Sequence, residues 1–401
     1  MSEVLEEKEV VANLVDLLSE EQVNTNEQDL YEASVDRYKK FAFARNAVDV
    51  PMPVAIVYPD SSDEVSDLLK YCNQEGINVI PRSGDTSTEG GLENWKDITV
   101  IIDAENLNKI VDIDTYNMQA TVQAGVRLEE LEDELREKGF TTGHSPQSKP
   151  VAKMGGLVAT RSIGQLSTLY GGIEDMVIGL ECVFPDGHTS RIKNVPRRAG
   201  GPDIRHIAIG NEGTLCYITE VTVKIFKHYP ENNKFYGYLT EDIETGIKVL
   251  REVMVNGYRP SVARAYSEED ANQHFYHFSK DKCVLILMAE GPENIVEATG
   301  EAIEEAVEKF DEGIIEEVDS ELIENWFNNL NWSQQDIEDE YEGMIENDSH
   351  TGFTTEISAD WETIPVIYNN VMERIKDEFP RAHELTLLGG HSSHSYINGT
   401  N

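Results

Sequence analysis

Residues 79–87 read Val79-Ile-Pro-Arg-Ser-Gly-Asp-Thr-Ser87 and join a short apolar run to a loop of small and hydroxyl-bearing side chains. A loop of this kind after a strand can turn successive backbone N–H groups inward and hold a diphosphate. The chain has neither the GxxxxGKS or GxxxxGKT motif of P-loop NTPases nor GxGxxG in a Rossmann context. Taken alone, the loop is slightly better explained as a turn between two strands.

Two more glycine-rich segments follow downstream. Gly155-Gly156, with Thr160 and Ser162 behind it, opens a small-residue helix, and Gly210-Asn-Glu-Gly-Thr214 leads into an alternating strand. A helical glycine costs about 1 kcal/mol relative to alanine, so the pair indicates close approach of a backbone or of a flat ligand. Tight packing of the helix against a sheet explains the pair equally well. The third segment, by itself, indicates only a turn.

Composition restricts the classes of function. The 401 residues include 75 acidic and 33 basic side chains, which give a formal net charge of −42. A surface this negative repels phosphate backbones, which argues against nucleic-acid binding through a broad positive face. An anionic ligand therefore requires a local cradle of N–H groups or well-placed arginines. The acidic residues are spread along the chain, which fits a surface solvated for high salt better than an interaction tail.

The sequence argues against several other classes. It has no run of about 20 apolar residues for a membrane span, and its acidic N-terminus lacks the features of a signal peptide. No CxxC pair occurs, which argues against zinc and iron–sulfur sites. His274 and His277 have no further ligands near them in sequence, so we expect no metal. We predict a soluble, cytoplasmic protein with ordinary buried thiols at Cys72, Cys182, Cys216 and Cys283.

The order of apolar runs and turn signals predicts an α+β protein. We expect a helical lead-in, one domain with two subdomains, and an α/β cap, at residues 1–50, 51–227 (subdomains about 51–138 and 139–227) and 228–401. The last predicted elements are a helix over 361–379 and a strand around 384–388.

In this fixed order the segments resemble the FAD-binding oxidases and transferases of the vanillyl-alcohol-oxidase type. That family has P-x-A-V-x-x-P in a strand before a diphosphate loop of the form V-x-x-R-G-G-G-T-S, and this chain has Pro53-Val-Ala-Ile-Val-Tyr-Pro59 before residues 79–87. The family motifs G-G-x-x-A-T-x-x-x-G, Y-G-x-x-x-D, P-x-G and G-x-E-G-T-L appear here, in order, at residues 155–164, 170–175, 185–187 and 210–215.

Within this family the likeness is greatest to alkylglycerone-phosphate synthase, over roughly residues 45–401. Markers of that branch occur at residues 143–148, 200–206, 260–264 and 390–396. Bacterial proteins similar to D-lactate and glycolate dehydrogenases share the FAD motifs. The resemblance implies a two-subdomain FAD-binding domain of the PCMH type followed by a cap domain. The family's C-terminal histidine-rich motif is not in the sequence, so we expect the C-terminal part of the cap to be missing.

The resemblance implies FAD as the cofactor, held without a covalent bond because no histidine occurs between residues 80 and 95. The diphosphate is expected at the loop residues Arg82, Ser83, Gly84, Asp85, Thr86 and Ser87. The flavin and its linker are expected beside Pro146, Gln147, Gly155, Gly156, Thr160 and Ser162. The adenine and ribose end is expected beside Glu212, Gly213, Thr214 and Ile218.

Two residues depart from the family pattern inside this set of motifs. Asp85 stands where the family prefers glycine. Aspartate tolerates the left-handed backbone conformation, but its charge beside a diphosphate would be repulsive. Cys216 also replaces a glycine, and we expect little effect from that change.

The resemblance also supplies candidate catalytic residues. Arg264 matches an arginine that contacts the substrate, His391 stands where the synthase has arginine, and His394 is a candidate for proton transfer. The alternative for Arg264 is a strand residue that reaches out to a surface carboxylate. For His391 and His394, ordinary polar strand positions are an equally good explanation.

The function implied first is that of the synthase: exchange of the acyl group of acylglycerone phosphate for a fatty alcohol, without net redox change. The alternative is an FAD-dependent dehydrogenase of 2-hydroxy acids such as D-lactate or glycolate, and a second alternative is a non-catalytic FAD-binding subunit. We expect a small or lipid-like phosphorylated substrate and a homodimer. Nucleic acid is not expected as a partner, and peripheral membrane contact stays open.

Overall fold

The computed structural model describes residues 6–36, 51–333, 335–336, 339, 354–381 and 388–401. Within them, most strands belong to three sheets. No helix in the described ranges combines the length and apolar character needed to cross a membrane.

The first sheet has four strands in the order β1-β2-β4-β3. They are β1 (Val23–Asn24), β2 (Ala55–Val57), β3 (Asn78–Arg82) and β4 (Thr99–Asp103). Strands β2 and β3 run parallel to β4, and β1 runs antiparallel to β2. The helices packed on this sheet are α1 (Glu7–Leu17), α2 (Glu27–Ala33) and α3 (Ser62–Glu75). All five residues of β4 are buried, as expected for a central parallel strand.

Helix α3 confirms the pattern that predicted a helix over 62–76. It begins where the Ser61 hydroxyl accepts a hydrogen bond from the Glu64 N–H, and it ends at Gly76 with a left-handed φ of 70°. One face is buried through Val65 and Leu68 against the first sheet. This packing holds β3 in place and thereby positions the start of the loop over residues 82–87.

The N-terminal segment is more than the helical lead-in that we predicted. Val23 and Asn24 pair with Val57 and Ile56, so the segment adds an edge strand to the first sheet. Val10 in α1 is fully buried in the same core. A strand of two residues is too short to show alternation in sequence, which explains why the prediction missed it.

The second sheet is antiparallel, with the order β5-β6-β10-β8-β9. Its strands are β5 (Ile110–Asp114), β6 (Gln119–Gln123), β8 (Val177–Val183), β9 (Thr189–Ile192) and β10 (Tyr217–Lys224), and a separate pair is formed by β7 (Phe140–Thr141) and β11 (Phe226–Lys227). The associated helices are α4 (Leu128–Glu137), α5 (Met154–Ala159), α6 (Ser167–Tyr170), α7 (Ile173–Met176) and α8 (Arg205–Ala208).

The division between the two sheets differs from the predicted subdomain boundary near residue 138. Strands β5 and β6 come before that residue, yet β6 pairs with β10 over five residue pairs. The chain therefore crosses between the sheets at residues 104–109. Local patterns cannot show which sheet a strand joins, because the partner β10 lies about a hundred residues away.

The cap domain contains a five-stranded antiparallel sheet in the order β15-β12-β14-β13-β16. Its strands are β12 (Lys234–Thr240), β13 (Val262–Tyr266), β14 (Cys283–Ala289), β15 (Ile314–Val318) and β16 (His391–Ser392), followed by a hairpin of β17 (Ser395–Tyr396) and β18 (Gly399–Thr400). The helices are α9 (Ile243–Val255), α10 (Glu268–Ser279), α11 (Glu293–Lys309), α12 (Ser320–Asn328) and α13 (Thr363–Glu378). Short 3-10 turns cover Glu20–Gln22, Pro230–Asn232 and Asp311–Gly313.

The alternation of strands and helices predicted for the cap is confirmed, although α10 and α12 were not predicted. The strand predicted around 384–388 lies outside the described residues except for Leu388. All five residues of strand β13 are buried, and the strand lies between β14 and β16 in the sheet. The segment that contains α6 packs on β13 and thereby joins the FAD-binding domain to the cap.

Candidate functional site

A cavity of about 260 Å³ lies where the loop after β3, helix α5 and the turn before β10 meet. The predicted cofactor residues that line it are Arg82, Ser83, Gly84, Asp85, Thr86, Ser87, Gly155, Gly156, Thr160, Ser162, Glu212, Gly213 and Ile218. The fold thus brings together three segments that are each ambiguous in sequence.

The charged residues at the mouth of the loop form a linked set. Arg82 Nη1 donates to Asp103 Oδ2 at 2.6 Å, and Arg82 Nη2 donates to Asp85 Oδ2 at 3.2 Å. Arg82 and Asp103 are direct partners on the parallel strands β3 and β4. Burial raises the pKa of Asp85, while the Arg82 guanidinium opposes that rise. The Asp85 carboxylate, which we expected to repel a diphosphate, therefore has Arg82 as a hydrogen-bond partner, although Asp103 also engages that arginine.

The glycines of the loop and helix allow very close approach. A Cβ at Gly156 would lie 2.6 Å from Ser83 Oγ, and a Cβ at Gly155 would lie 2.6 Å from the Ala124 Cβ. Gly155 is thus required by packing against the chain that follows β6, whereas Gly156 keeps the helix against the loop. Packing therefore explains Gly155, and the approach of a flat ligand to Gly156 stays a prediction.

These residues fit a diphosphate-bearing cofactor. Loop backbone and helix start face one cavity, and the loop has a left-handed turn at Asp85, with φ 52°. Arg82 Nε and Asp85 Oδ1 are buried without a hydrogen-bond partner. Buried polar atoms normally have partners, so the free Arg82 Nε–H indicates a donor that is available to an acceptor oxygen of the ligand.

Lys153 is a member of the site that the sequence analysis missed. It lines the cavity, is 9% exposed, and its ammonium group contacts the Glu105 carboxylate. The Lys153–Glu105 contact lowers the pKa of Glu105. A single lysine before Met154-Gly155 has no distinctive spacing, so the sequence contains no clear signal for it.

Three predicted residues lie outside this cavity. The carbonyl oxygens of Pro146 and Gln147 accept hydrogen bonds from Asn331 Nδ2 at 2.7 Å and from the Trp332 N–H at 2.9 Å. They therefore contact the cap. Thr214 Oγ1 donates to the Asn211 carbonyl at 2.6 Å and stabilises the turn. Their predicted contacts with FAD stay predictions.

On the cap side, Arg264 is a buried cation in β13. It is 5% exposed, and Nη1 donates to Gln165 Oε1 at 2.5 Å. Its guanidinium lies 5.0 Å from the ring centre of Tyr266 and 5.7 Å from that of Trp326. Among the described residues no carboxylate lies within ion-pair distance of it, and its Nε has no hydrogen-bond partner. The alternative of a surface carboxylate partner is therefore wrong, because the side chain is buried.

His394 lies near Arg264 and is partly buried. Its Nδ1 is 2.6 Å from Ser167 Oγ. Burial, and secondly the charge of Arg264, lower the pKa of His394 to about 3. The imidazole is consequently neutral near pH 7.

His391 forms a hydrogen bond with the carboxylate of Asp270. Its Nδ1 lies 2.5 Å from Asp270 Oδ2, and His274 Nδ1 lies 3.0 Å from Asp270 Oδ1. Burial alone would raise the pKa of Asp270, but the hydrogen bonds from His274 and His391 hold it well below the usual range. His274 therefore has a structural partner. No group of three or more potential metal ligands was found among the residues described.

His144 is a buried histidine that was predicted only as part of the family marker at residues 143–148. It is 2% exposed, neither ring nitrogen has a hydrogen-bond partner, and burial lowers its pKa to about 4. Its charge would interact with that of His394. Arg264, His394 and His144 therefore form a cluster at the contact between the two domains.

Two family models match separate parts of the chain. The FAD binding domain model matches residues 53–193, and the model for the C-terminal domain of FAD linked oxidases matches residues 229–400. The second match runs to the end of the cap as described, and the predicted loss of a C-terminal part stays a prediction.

Comparison with known proteins gives relatives of several activities. The chain is 56% identical to the uncharacterized FAD-linked oxidoreductase YgcU of Escherichia coli (strain K12), over 98% of this chain and 80% of the relative. It is 37% identical to alkyldihydroxyacetonephosphate synthase of Caenorhabditis elegans over 53% of this chain and 36% of that one. It is 35% identical to the mitochondrial D-lactate dehydrogenase [cytochrome] 1 of Saccharomyces cerevisiae, over 43% of this chain and 30% of that one.

A solved structure of alkyldihydroxyacetonephosphate synthase superposes with a TM-score of 0.77 at 22% identity, over 97% of this chain and 74% of that chain. This likeness shows a common fold. Together with the identity to YgcU and the two matched domains, it confirms the resemblance drawn from the motifs, with FAD as cofactor. The chain belongs to the family of FAD-linked oxidoreductases.

Proposed function

We propose that this protein is an FAD-dependent dehydrogenase that oxidises a 2-hydroxy acid and holds the substrate carboxylate at Arg264. The observation that carries the proposal is the buried guanidinium without a carboxylate partner among the described residues. An uncompensated buried cation is costly, by several kcal/mol in real proteins. A protein retains such a group where a ligand supplies the missing charge.

The geometry around Arg264 suits a monocarboxylate. Gln165 occupies one donor on Nη1, and the unpartnered Nε leaves a donor free for an acceptor oxygen. A carboxylate matches a guanidinium edge with two parallel hydrogen bonds. The rings of Tyr266 and Trp326 hold the guanidinium while leaving it charged.

His394 is the proposed proton acceptor. Burial is the main cause that depresses its pKa, and the charge of Arg264 is the second. A bound carboxylate would cancel that charge, so the basicity of His394 would rise when the substrate arrives. The hydroxyl proton then passes to His394 while the carbinol carbon becomes a carbonyl. FAD, when bound, supplies the acceptor for the hydride released from that carbon.

Chain connectivity supports placing these two steps together. Ser162 lines the cofactor cavity, and Gln165 and Ser167, which contact Arg264 and His394, follow it by only a few residues. The substrate groups are thus tied to the same stretch of backbone as the cavity wall.

The second candidate is an ether-lipid synthase that exchanges the acyl group of acylglycerone phosphate for a fatty alcohol. The sequence likeness to alkyldihydroxyacetonephosphate synthase supports it. A phosphate dianion, however, calls for more positive charge than Arg264 alone, and His391 is already hydrogen-bonded to Asp270. We therefore rank this function second.

Anaerobic titration of the purified flavoprotein with D-lactate, glycolate and longer 2-hydroxy acids tests the proposal. We expect the flavin absorbance near about 450 nm to bleach with at least one of them, and Arg264→Gln to abolish bleaching while retaining FAD. No bleaching with any acid, combined with incorporation of a labelled fatty alcohol into acylglycerone phosphate, would establish the synthase instead.

A further inference from the structure

We propose that Asp85 takes up a proton when FAD binds, so that cofactor affinity weakens as the pH rises. The proposal rests on FAD as cofactor and not on the choice of substrate. It concerns the loop residue at which this chain departs from the glycine of its family.

The carboxyl group of Asp85 is placed to sense a charged ligand. It lines the cavity, and only Oδ2 has a partner, Arg82 Nη2 at 3.2 Å. Oδ1 is buried and without a hydrogen-bond partner. Asp85 has a left-handed backbone conformation, and the residues on either side of it, Gly84 and Thr86, also line the cavity.

The charges around Asp85 leave it poorly compensated. From the sheet, Arg82 is shared with Asp103, which is itself buried. Asp36, which follows α2, adds a further negative charge that acts on Asp85. On the opposite wall, Lys153 is engaged by Glu105, and Glu212 adds an acid from the turn before β10.

A diphosphate would bring additional negative charge into this acidic surrounding. Arg82 cannot neutralise Asp85, Asp103 and a ligand at the same time. Binding a proton at Asp85 removes one of the opposing charges and leaves Arg82 free to face the ligand. Burial already raises the pKa of Asp85 in the structure, which favours its protonated form.

The sign of the linkage follows from these charges. The ligand raises the pKa of Asp85 further, so the complex binds more protons than the apoprotein between the two pKa values. Within that window the dissociation constant of FAD increases with pH by as much as about tenfold per unit. Below the window both forms are protonated, and the dependence disappears.

The test is calorimetric titration of apoprotein with FAD at several pH values from about 5 to 8, in buffers of different ionisation enthalpy and at fixed ionic strength. We expect net uptake approaching one proton in the wild type. Asp85→Asn should bind FAD more tightly with uptake near zero. Glu75→Gln, which removes an acid from an exposed side chain outside the cavity, should retain the uptake of the wild type.

Three results would overturn the proposal: wild-type binding without proton uptake across the range, uptake in Asp85→Asn equal to that of the wild type, or loss of uptake in Glu75→Gln as large as that in Asp85→Asn. Circular dichroism of each apoprotein checks folding. Should Asp85→Asn fail to fold, Asp85→Gly replaces it, because glycine accepts the positive φ at this position.

Discussion

Arg264 of the cap and Gln165 of the FAD-binding domain share a hydrogen bond of 2.5 Å between Nη1 and Oε1. A neutral amide satisfies a donor of the guanidinium without cancelling its charge. The buried cation therefore keeps its attraction for an anion, which a carboxylate at position 165 would remove. This difference separates a binding role of Arg264 from a structural one.

Gln165→Glu should stabilise the protein and weaken substrate binding. The new carboxylate would pair with Arg264 in a buried setting, where an ion pair with one partner missing costs about 3–5 kcal/mol. We expect a higher melting temperature and a KM for the hydroxy acid raised about 100-fold. In Gln165→Met the donor loses its partner, so the free energy of unfolding should instead fall by about 1–3 kcal/mol. A lower melting temperature with unchanged KM in Gln165→Glu would contradict the binding role.

Replacing Arg264 by methionine should leave FAD bound and abolish turnover. Apolar side chains in place of buried ionic groups are often neutral or stabilising, by about 1–4 kcal/mol, so the melting temperature should not fall. FAD content, turnover and melting temperature measured together check this. Arg374→Met, at a side chain that is 75% exposed, is the matched control and should change none of the three. Marked unfolding of Arg264→Met would indicate a structural role.

Two histidines, the buried His144 and the partly buried His394, should make the protein sensitive to acid. The pKa of His394 is lowered to about 3 and that of His144 to about 4, mainly by burial. The unfolded chain, with histidine pKa values near about 6.5, binds more protons in between. The free energy of unfolding should therefore fall as the pH decreases from about 6.5 towards 4, by up to about 1.4 kcal/mol per unit for each histidine.

Denaturant unfolding of the apoprotein at a series of pH values measures this slope. His144→Leu should flatten it by roughly the share of one histidine. His188→Gln, at an exposed histidine, should leave it unchanged. Equal slopes in His144→Leu and wild type would show that His144 is not held neutral in the folded protein.

Gly156→Ala should weaken FAD binding without unfolding the protein, since its Cβ would lie 2.6 Å from Ser83 Oγ and force this hydroxyl to move within the cavity wall. The ratio of flavin to protein absorbance after gel filtration measures the loss. Adding Ser83→Ala removes the clashing oxygen, so the double variant should recover FAD. Gly200→Ala, where no atom lies within 4 Å of the new Cβ, should retain FAD throughout. Failure of Ser83→Ala to restore binding would mean that the clash does not explain the loss.

The cofactor cavity was largely predictable because its chemistry is local. A loop such as 82–87 has its small residues, its turn and its preceding strand within one short segment, and motif order then links it to Gly155 and Glu212. The fold needs only to bring the segments together. Lys153 escaped notice because a single lysine before a helix has no distinctive spacing.

The cap site was predictable only in part. Arg264, His391 and His394 could be named from the resemblance, but their partners could not. Gln165 lies 99 residues from Arg264 and Asp270 lies 121 residues from His391. Such pairings depend on how the domains meet, and the same is true of strands β5 and β6, whose sheet is decided by their distant partner β10.

The segment around α6 affects how the domains of one family member could be exchanged for those of another. Gln165 contacts Arg264, Ser167 contacts His394, and Thr168 Oγ1 accepts a hydrogen bond from the Ser395 N–H. A chimera joined near residue 228, at the linker between the domains, would separate the cap from the side chains that hold its polar groups. To transplant this cap onto a relative, residues 165–168 must be transplanted with it.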